Sequence, residues 1–169
     1  MIFVTVGHQM PFDRLVALVD DWAANHPDVE VFAQIGAGRH VPQNFSYQRW
    51  LTPAEFESTI DRSQAVVAHA GTGTIIQVLL RRKPMLVLPR LASQGETRND
   101  HQVGTARYFS EHGLILAACD AADLSGKLSA ILDAPQPPGL SASASPELLD
   151  RLRRFANEEM ISNKSRGKT

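Results

Sequence analysis

The densest chemical signal in the chain is His69-Ala70-Gly71-Thr72-Gly73-Thr74. It follows a short apolar run, Ala65 to Ala68, and leads into a helical stretch, Ile75 to Arg82. Glycine lets the main chain approach a ligand closely and tolerates positive φ. Unpaired N–H groups at a helix start favour an anion, and the hydroxyls of Thr72 and Thr74 add donors. The anion such a turn suits is a diphosphate; a plain strand-to-helix turn capped by Thr74 is the bland alternative. No Gly-Lys-Ser/Thr follows, so this is not a Walker loop. Gly36-Ala37-Gly38 lacks the third glycine and the following helix of the dinucleotide fingerprint, which disfavours an NAD or flavin protein.

A second cluster, Gly95-Glu96-Thr97-Arg98-Asn99-Asp100-His101-Gln102, mixes acceptors, donors and amides after an apolar strand. That mixture suits the reading of sugar hydroxyls. Asn99 and Asp100 also suit helix capping, whereas Gln102, one turn further in, is harder to explain as a cap. His8, His69 and His101 are widely spaced and lack a carboxylate-rich partner, so no metal site is expected. Trp22 reads as core, and Trp50 either stacks on a base or packs.

These residues need a scaffold, and the hydrophobic pattern supplies one. Ile2 to Val6, Val29 to Ile35, Phe45 to Leu51, Ala65 to Ala68, Met85 to Leu88 and Leu114 to Ala117 read as strands. Between them Phe12, Leu15, Val16, Val19, Trp22 and Ala23 recur at helical spacing. Thr52-Pro53 opens a helix that turns Phe56, Ile60 and Ser63 inward. Further helices run from Asn99 to His112 and from Ala121 to Leu132. Strand and helix alternate throughout, which implies an α/β, Rossmann-like doubly wound parallel sheet. Ligands of such sheets bind beyond the carboxyl ends of the strands, where both clusters fall.

The organisation changes near residue 133. Ala134 to Ser145 is rich in Pro, Ser, Gly and Ala and reads as a flexible linker. Residues 146 to 158 regain helical periodicity, with Leu148, Leu149, Leu152, Phe155 and Ala156 on one stripe. That stripe must be buried, against a partner or against its own domain. Residues 159 to 169 read as a disordered tail. The 169 residues carry a net charge of −1, which gives no general attraction to nucleic acid. Cys119 is the single cysteine, so no disulfide framework exists and a cytoplasmic location is expected. No apolar run reaches the ~20 residues of a membrane helix.

Several stretches together resemble one family. Val4-Thr5-Val6-Gly7 with Phe12-Asp13-Arg14-Leu15 is similar to the start of the small glycosyltransferase subunits of bacterial exopolysaccharide and capsule synthesis. The His69 to Ile76 segment, Lys83-Pro84-Met85-Leu86-Val87-Leu88-Pro89-Arg90 and the Gly95 to Gln102 cluster look like that family too, in the same order. The resemblance extends to about residue 133. It reaches the C-terminal, donor-binding half of MurG-type GT-B enzymes and the cytosolic subunit of the eukaryotic two-subunit N-acetylglucosaminyltransferase of the dolichol-linked glycan.

The resemblance implies a UDP-sugar-binding donor subunit of an inverting, metal-independent glycosyltransferase without a cofactor. Its acceptor half is then a separate membrane-associated protein, which holds this chain at the inner membrane face. Implied donors are UDP-glucuronate or UDP-galactose, with β-1,4 transfer to an undecaprenyl-diphosphate-linked sugar. The alternative is a non-catalytic nucleotide-binding enhancer of a partner enzyme. Gly7, Gly71, Thr72, Gly73 and Thr74 are expected at the diphosphate, and Asn99, Asp100 and Gln102 at the sugar. Trp50 and Leu51 fall in the uracil region. His8 is this chain's candidate base, although the partner is the expected source. Two positions depart from the family: His8 replaces a small residue, and Gln77 replaces a ribose-holding glutamate. An amide binds a hydroxyl more weakly than a carboxylate does. Arg90 and Arg98 are candidates to pair with a uronate carboxylate.

Overall fold

The computed structural model describes residues 1–138. The last seven linker positions, the expected helix at 146–158 and the tail at 159–169 lie outside the described residues. Six parallel strands form one sheet: β1 (Ile2–Thr5), β2 (Val31–Gln34), β3 (Ser46–Gln48), β4 (Ala65–His69), β5 (Met85–Leu88) and β6 (Leu116–Ala117). Their spatial order is β3-β2-β1-β4-β5-β6. The helices are α1 (Asp13–Ala24), α2 (Pro53–Arg62), α3 (Thr72–Leu80), α4 (His101–Glu111) and α5 (Ala121–Ala130). This is the α/β doubly wound architecture that the alternation predicts.

Strand periodicity divides the core into two layers. Ile2, Val4 and Val6 point to one face, where Leu15, Val16 and Val19 of α1 and Leu124 and Leu128 of α5 cover them. Phe3, Val66 and Ala68 point to the other, under Ile60 of α2, Ile75, Val78 and Leu79 of α3, and Ala106 of α4. Trp22 is buried in the first layer, and its indole N–H donates to the Ser129 hydroxyl. At α2 the expected start holds: Thr52 and Glu55 form a reciprocal capping box, with Pro53 in the first turn.

Several element ends differ from the sequence expectation. α3 begins at Thr72 rather than Ile75, with Gly71 as its extended N-cap. Burial of Ile75, Val78 and Leu79 carries Gly73 into the helix despite its low propensity. α4 begins at His101 rather than Asn99, because Asp100 turns its carboxylate back to the N–H of Ala92. β3 is three exposed residues, so Trp50 and Leu51 lie beyond it. β2 and β6 are shorter than their apolar runs, and α5 ends at Ala130 in a 3-10 turn, Ile131–Asp133. The linker's first five residues, Ala134 to Pro138, have no regular structure and line a groove with Pro84, Leu114 and Leu116.

Candidate functional site

The sheet changes direction of winding between β1 and β4, its innermost pair. The loops leaving their carboxyl ends diverge there and open a crevice of about 380 Å³. Gly7 and His8 come from the β1 loop, Gly73, Thr74 and Gln77 from α3, and Leu51, Pro53, Phe56 and Glu57 from the entry to α2. Gln34, at the end of β2, completes the wall. Its side-chain oxygen accepts from the Thr5 hydroxyl at 2.7 Å, and Thr5 Oγ1 in turn accepts from the Gly7 N–H at 3.1 Å. A polar residue ending an otherwise apolar strand was the available sign for Gln34.

The N-terminus of α3 is open. Gly71 makes no side-chain cap, and the first intrahelical bond runs from Ile75 N–H to Gly71 C=O at 3.0 Å. The N–H groups of Thr72, Gly73 and Thr74 therefore have no helical partner. A Cβ at Gly73 would meet nothing within 4 Å, so that position faces free space. Gly7 and Gly71 are different. A Cβ on either would lie within 2.4 Å of the His69 ring, and Gly7 also has φ of 78°. His69 is thus the floor on which both turns rest. Desolvation by burial, then the neighbouring Arg90 cation, pull its pKa down to about 4, so the ring is neutral at pH 7. The placement of His69 between the two glycines is not visible in the residue order, where it stands at the end of β4 close to Gly71 but far from Gly7.

Three buried polar atoms have no hydrogen-bond partner among the described residues: His69 Nδ1, Gln77 Oε1 and Arg90 Nε. Gln77 lines the crevice, and the others stand behind its glycine turns. Unpaired buried polar atoms are uncommon in folded proteins, and here they gather at one site. Gln77's amide oxygen is buried and unpaired beneath the crevice wall. Trp50 does not line the crevice. It is 47 % exposed and meets the His8 ring edge-on at 5.1 Å, at the rim.

The second polar cluster lies beside the crevice and is largely consumed by the protein itself. Gln102 is buried, and its amide oxygen accepts from the main-chain N–H of both Ala70 and Arg90 at 3.2 Å. Asp100 accepts from Ala92 N–H at 2.8 Å, and Asn99 accepts from His101 N–H at 3.3 Å. Glu96 takes a bidentate pair from Arg14 at 2.7 and 2.8 Å. Arg90, buried, donates to the carbonyls of Val6 and Met10 and lies over the Phe12 ring. The expectation that Arg90 is free to pair with a ligand carboxylate is corrected: both acceptors it reaches are main-chain oxygens of the β1 loop. Arg98 is exposed. Among the described residues no His, Cys, Asp and Glu group has the arrangement of a metal site, and no helix is long and apolar enough to cross a membrane.

The doubly wound parallel sheet, with its helices on both faces, is the fold of the C-terminal half of GT-B glycosyltransferases. The chain belongs to the glycosyltransferase family 28 C-terminal domain, whose model matches residues 1–151. It is 27 % identical over 150 residues to the human UDP-N-acetylglucosamine transferase subunit ALG13, covering 79 % of this chain and 12 % of that protein. Among solved structures, that of ALG13 superposes with a TM-score of 0.58 at 19 % identity, over 89 % of this chain and 93 % of that one. The glycotransferase of kitacinnamycin superposes with a TM-score of 0.57 at 23 % identity, over 78 % of this chain and 33 % of that one. These likenesses bear out the fold.

Proposed function

We propose that this chain is the donor-binding subunit of an inverting UDP-sugar glycosyltransferase whose acceptor-binding half is a separate, membrane-associated polypeptide. The observation that carries the reading is the open start of α3, N-capped by Gly71, at the switch-point crevice that Gly7 and Gly73 line. The N–H groups of Thr72, Gly73 and Thr74 hold the diphosphate and stabilise the charge that develops on the departing UDP. Leu51, Pro53 and Phe56 give the base an apolar seat, with Trp50 at its edge, and Gln77 meets the ribose. Asp100 reads the sugar from the neighbouring loop. The partner supplies the base for the acceptor hydroxyl, with His8 at the crevice mouth as this chain's own candidate. The transfer needs no divalent metal, because the helix start provides the positive potential.

Two donors follow from the resemblance, UDP-galactose and UDP-glucuronate. Arg90 is committed to Val6 and Met10, whereas Arg98 is exposed and able to meet a uronate carboxylate, so both donors stay in the reading. UDP-N-acetylglucosamine, the donor in the relative's name, is a second neutral hexose donor. The acceptor is a lipid-linked sugar, undecaprenyl-diphosphate-linked in exopolysaccharide synthesis, presented by the partner at the inner membrane face. Calorimetry with the three UDP-sugars, with and without EDTA and the co-purified partner, tests the reading. Binding that survives chelation, with transfer only in the partner's presence, is the expected result. No binding to any UDP-sugar would remove the reading.

A further inference from the structure

Behind the glycine turns lies a charge that the donor-binding reading does not use. Arg90 is 4 % exposed, and its guanidinium reaches Val6 C=O at 2.7 Å, one peptide link before Gly7. It also donates to Met10 C=O, so it clasps the β1 loop on both sides of Gly7 and His8. Its main-chain N–H shares Gln102's amide oxygen with that of Ala70, which ties the β5 loop to the residue before Gly71. Arg90 thus holds the β1 loop directly, and Gln102 links the backbone of Arg90 to the β4 loop.

The local charge does not cancel. Glu96 is the carboxylate nearest to hand, and its two oxygens are held by Arg14. Arg14 and Arg90 against Glu96 leave one positive charge in excess behind the loops, while the crevice's own carboxylate, Glu57, is paired with Arg81 at 3.0 Å. His69, wedged between the same loops, adds none at pH 7. Arg90 Nε remains a buried donor without a partner. Burying a guanidinium is costly, and a neutral amide would suffice to hold a carbonyl. The buried charge therefore calls for an anion on the other side of the loop.

We infer that Arg90 is a positioning residue with an electrostatic role. It fixes the Gly7–His8 turn and supplies the excess positive charge that favours a nucleoside diphosphate over the uncharged nucleoside. The inference rests on the donor-binding reading and extends it to a residue that does not touch the ligand. Removing one unit charge from behind a partly buried anion site is worth on the order of tenfold in affinity.

The test is NMR titration of the full chain with uridine and with UDP, for the wild type, Arg90→Lys, Arg90→Gln and Glu96→Gln. Arg90→Gln lowers the UDP-to-uridine affinity ratio about tenfold, whereas Arg90→Lys, which keeps the charge, holds it within about threefold. Glu96→Gln removes the opposing carboxylate and raises the ratio, which keeps a test available if Arg90→Gln does not fold. Equal losses for UDP and uridine in both Arg90 variants, or a lower ratio in Glu96→Gln, would overturn the electrostatic role and leave the donor reading standing. A wild-type protein that binds neither compound would overturn both.

Discussion

Two loops flank the crevice, and they use polar groups in opposite ways. The turn at Gly71 to Thr74 is poor in side-chain chemistry, yet its N–H groups are uncommitted and Gly73 faces open space. The loop from Arg90 to Gln102 is dense in polar side chains, yet Arg90, Glu96, Asp100 and Gln102 all spend hydrogen bonds on the protein's own backbone. The first loop leaves its donors open, and the second is bonded to the first. A count of polar residues is therefore a poor guide to a binding site; what matters is which donors and acceptors the fold leaves unpaired.

The largest effect expected from this contrast is at Gly73. Gly73→Val fills the open space before the helix N–H groups and lowers UDP affinity by about a hundredfold or more, with the fold intact. Gly71→Ala, two residues away, drives its Cβ to 2.3 Å from His69 Nε2 and lowers the melting temperature instead. If both variants lose binding with equal loss of stability, the distinction between receiving and supporting positions fails. Gln102→Ala comes next. It strips two buried N–H groups of their acceptor and costs about 2 kcal/mol of stability, measured by urea unfolding. UDP and UDP-sugar should weaken together; a loss confined to the sugar would return Gln102 to direct sugar reading.

A pH scan probes the histidine between the loops. The His69 pKa falls from the usual 6.5 to about 4 in the folded protein, so protons bind the unfolded chain more readily. Stability is fully present above pH 6.5 and is lost as pH falls toward 4, by about 3 kcal/mol at the lower end. Asp123, whose carboxylate is held down to about 2 chiefly by its hydrogen bond from the Cys119 thiol, loses its contribution only below this window. Thermal melts of the wild type and His69→Gln between pH 4 and 7 check it, and equal slopes would contradict the assignment. Asp100→Ala is the mildest change. One carboxylate oxygen is spent on Ala92, so a severalfold loss for UDP-sugar with UDP unchanged is expected.

Much of this was legible in the amino-acid order. The apolar runs of β1, β4 and β5 give the centre of the parallel sheet, because a strand buried on both faces must be apolar throughout, whereas the exposed edge strand β3 carries no such signal. Thr52-Pro53 announces α2, since its capping chemistry is local, and Glu55 completes the capping box in the structure. The start of α3 lies three residues before the point the local pattern suggests. The glycine at 73 argues against helix locally, while burial of Ile75, Val78 and Leu79 decides the matter at a distance. Gly7, His8, Gly73, Thr74, Gln77 and Leu51 line one crevice. Gly71, Thr72, Asn99, Asp100, Gln102 and Trp50 fall outside the crevice lining, because their residue types do not reveal which partners the tertiary fold brings to them. Arg90 is the clearest instance: its acceptors lie about eighty residues away in sequence, at Val6 and Met10. His69 became readable only when the two glycine turns closed over it.

The central claim, a diphosphate seated on the start of α3, is tested most directly by the amide resonances of the ¹⁵N-labelled chain during titration with UDP. The N–H groups of Thr72, Gly73 and Thr74 should show the largest shifts, followed by Gly7, and UMP should move them less. Saturable shifts concentrated elsewhere, such as along the groove at Leu114, Leu116 and Pro135, would contradict it, as would UDP leaving the α3 amides unmoved.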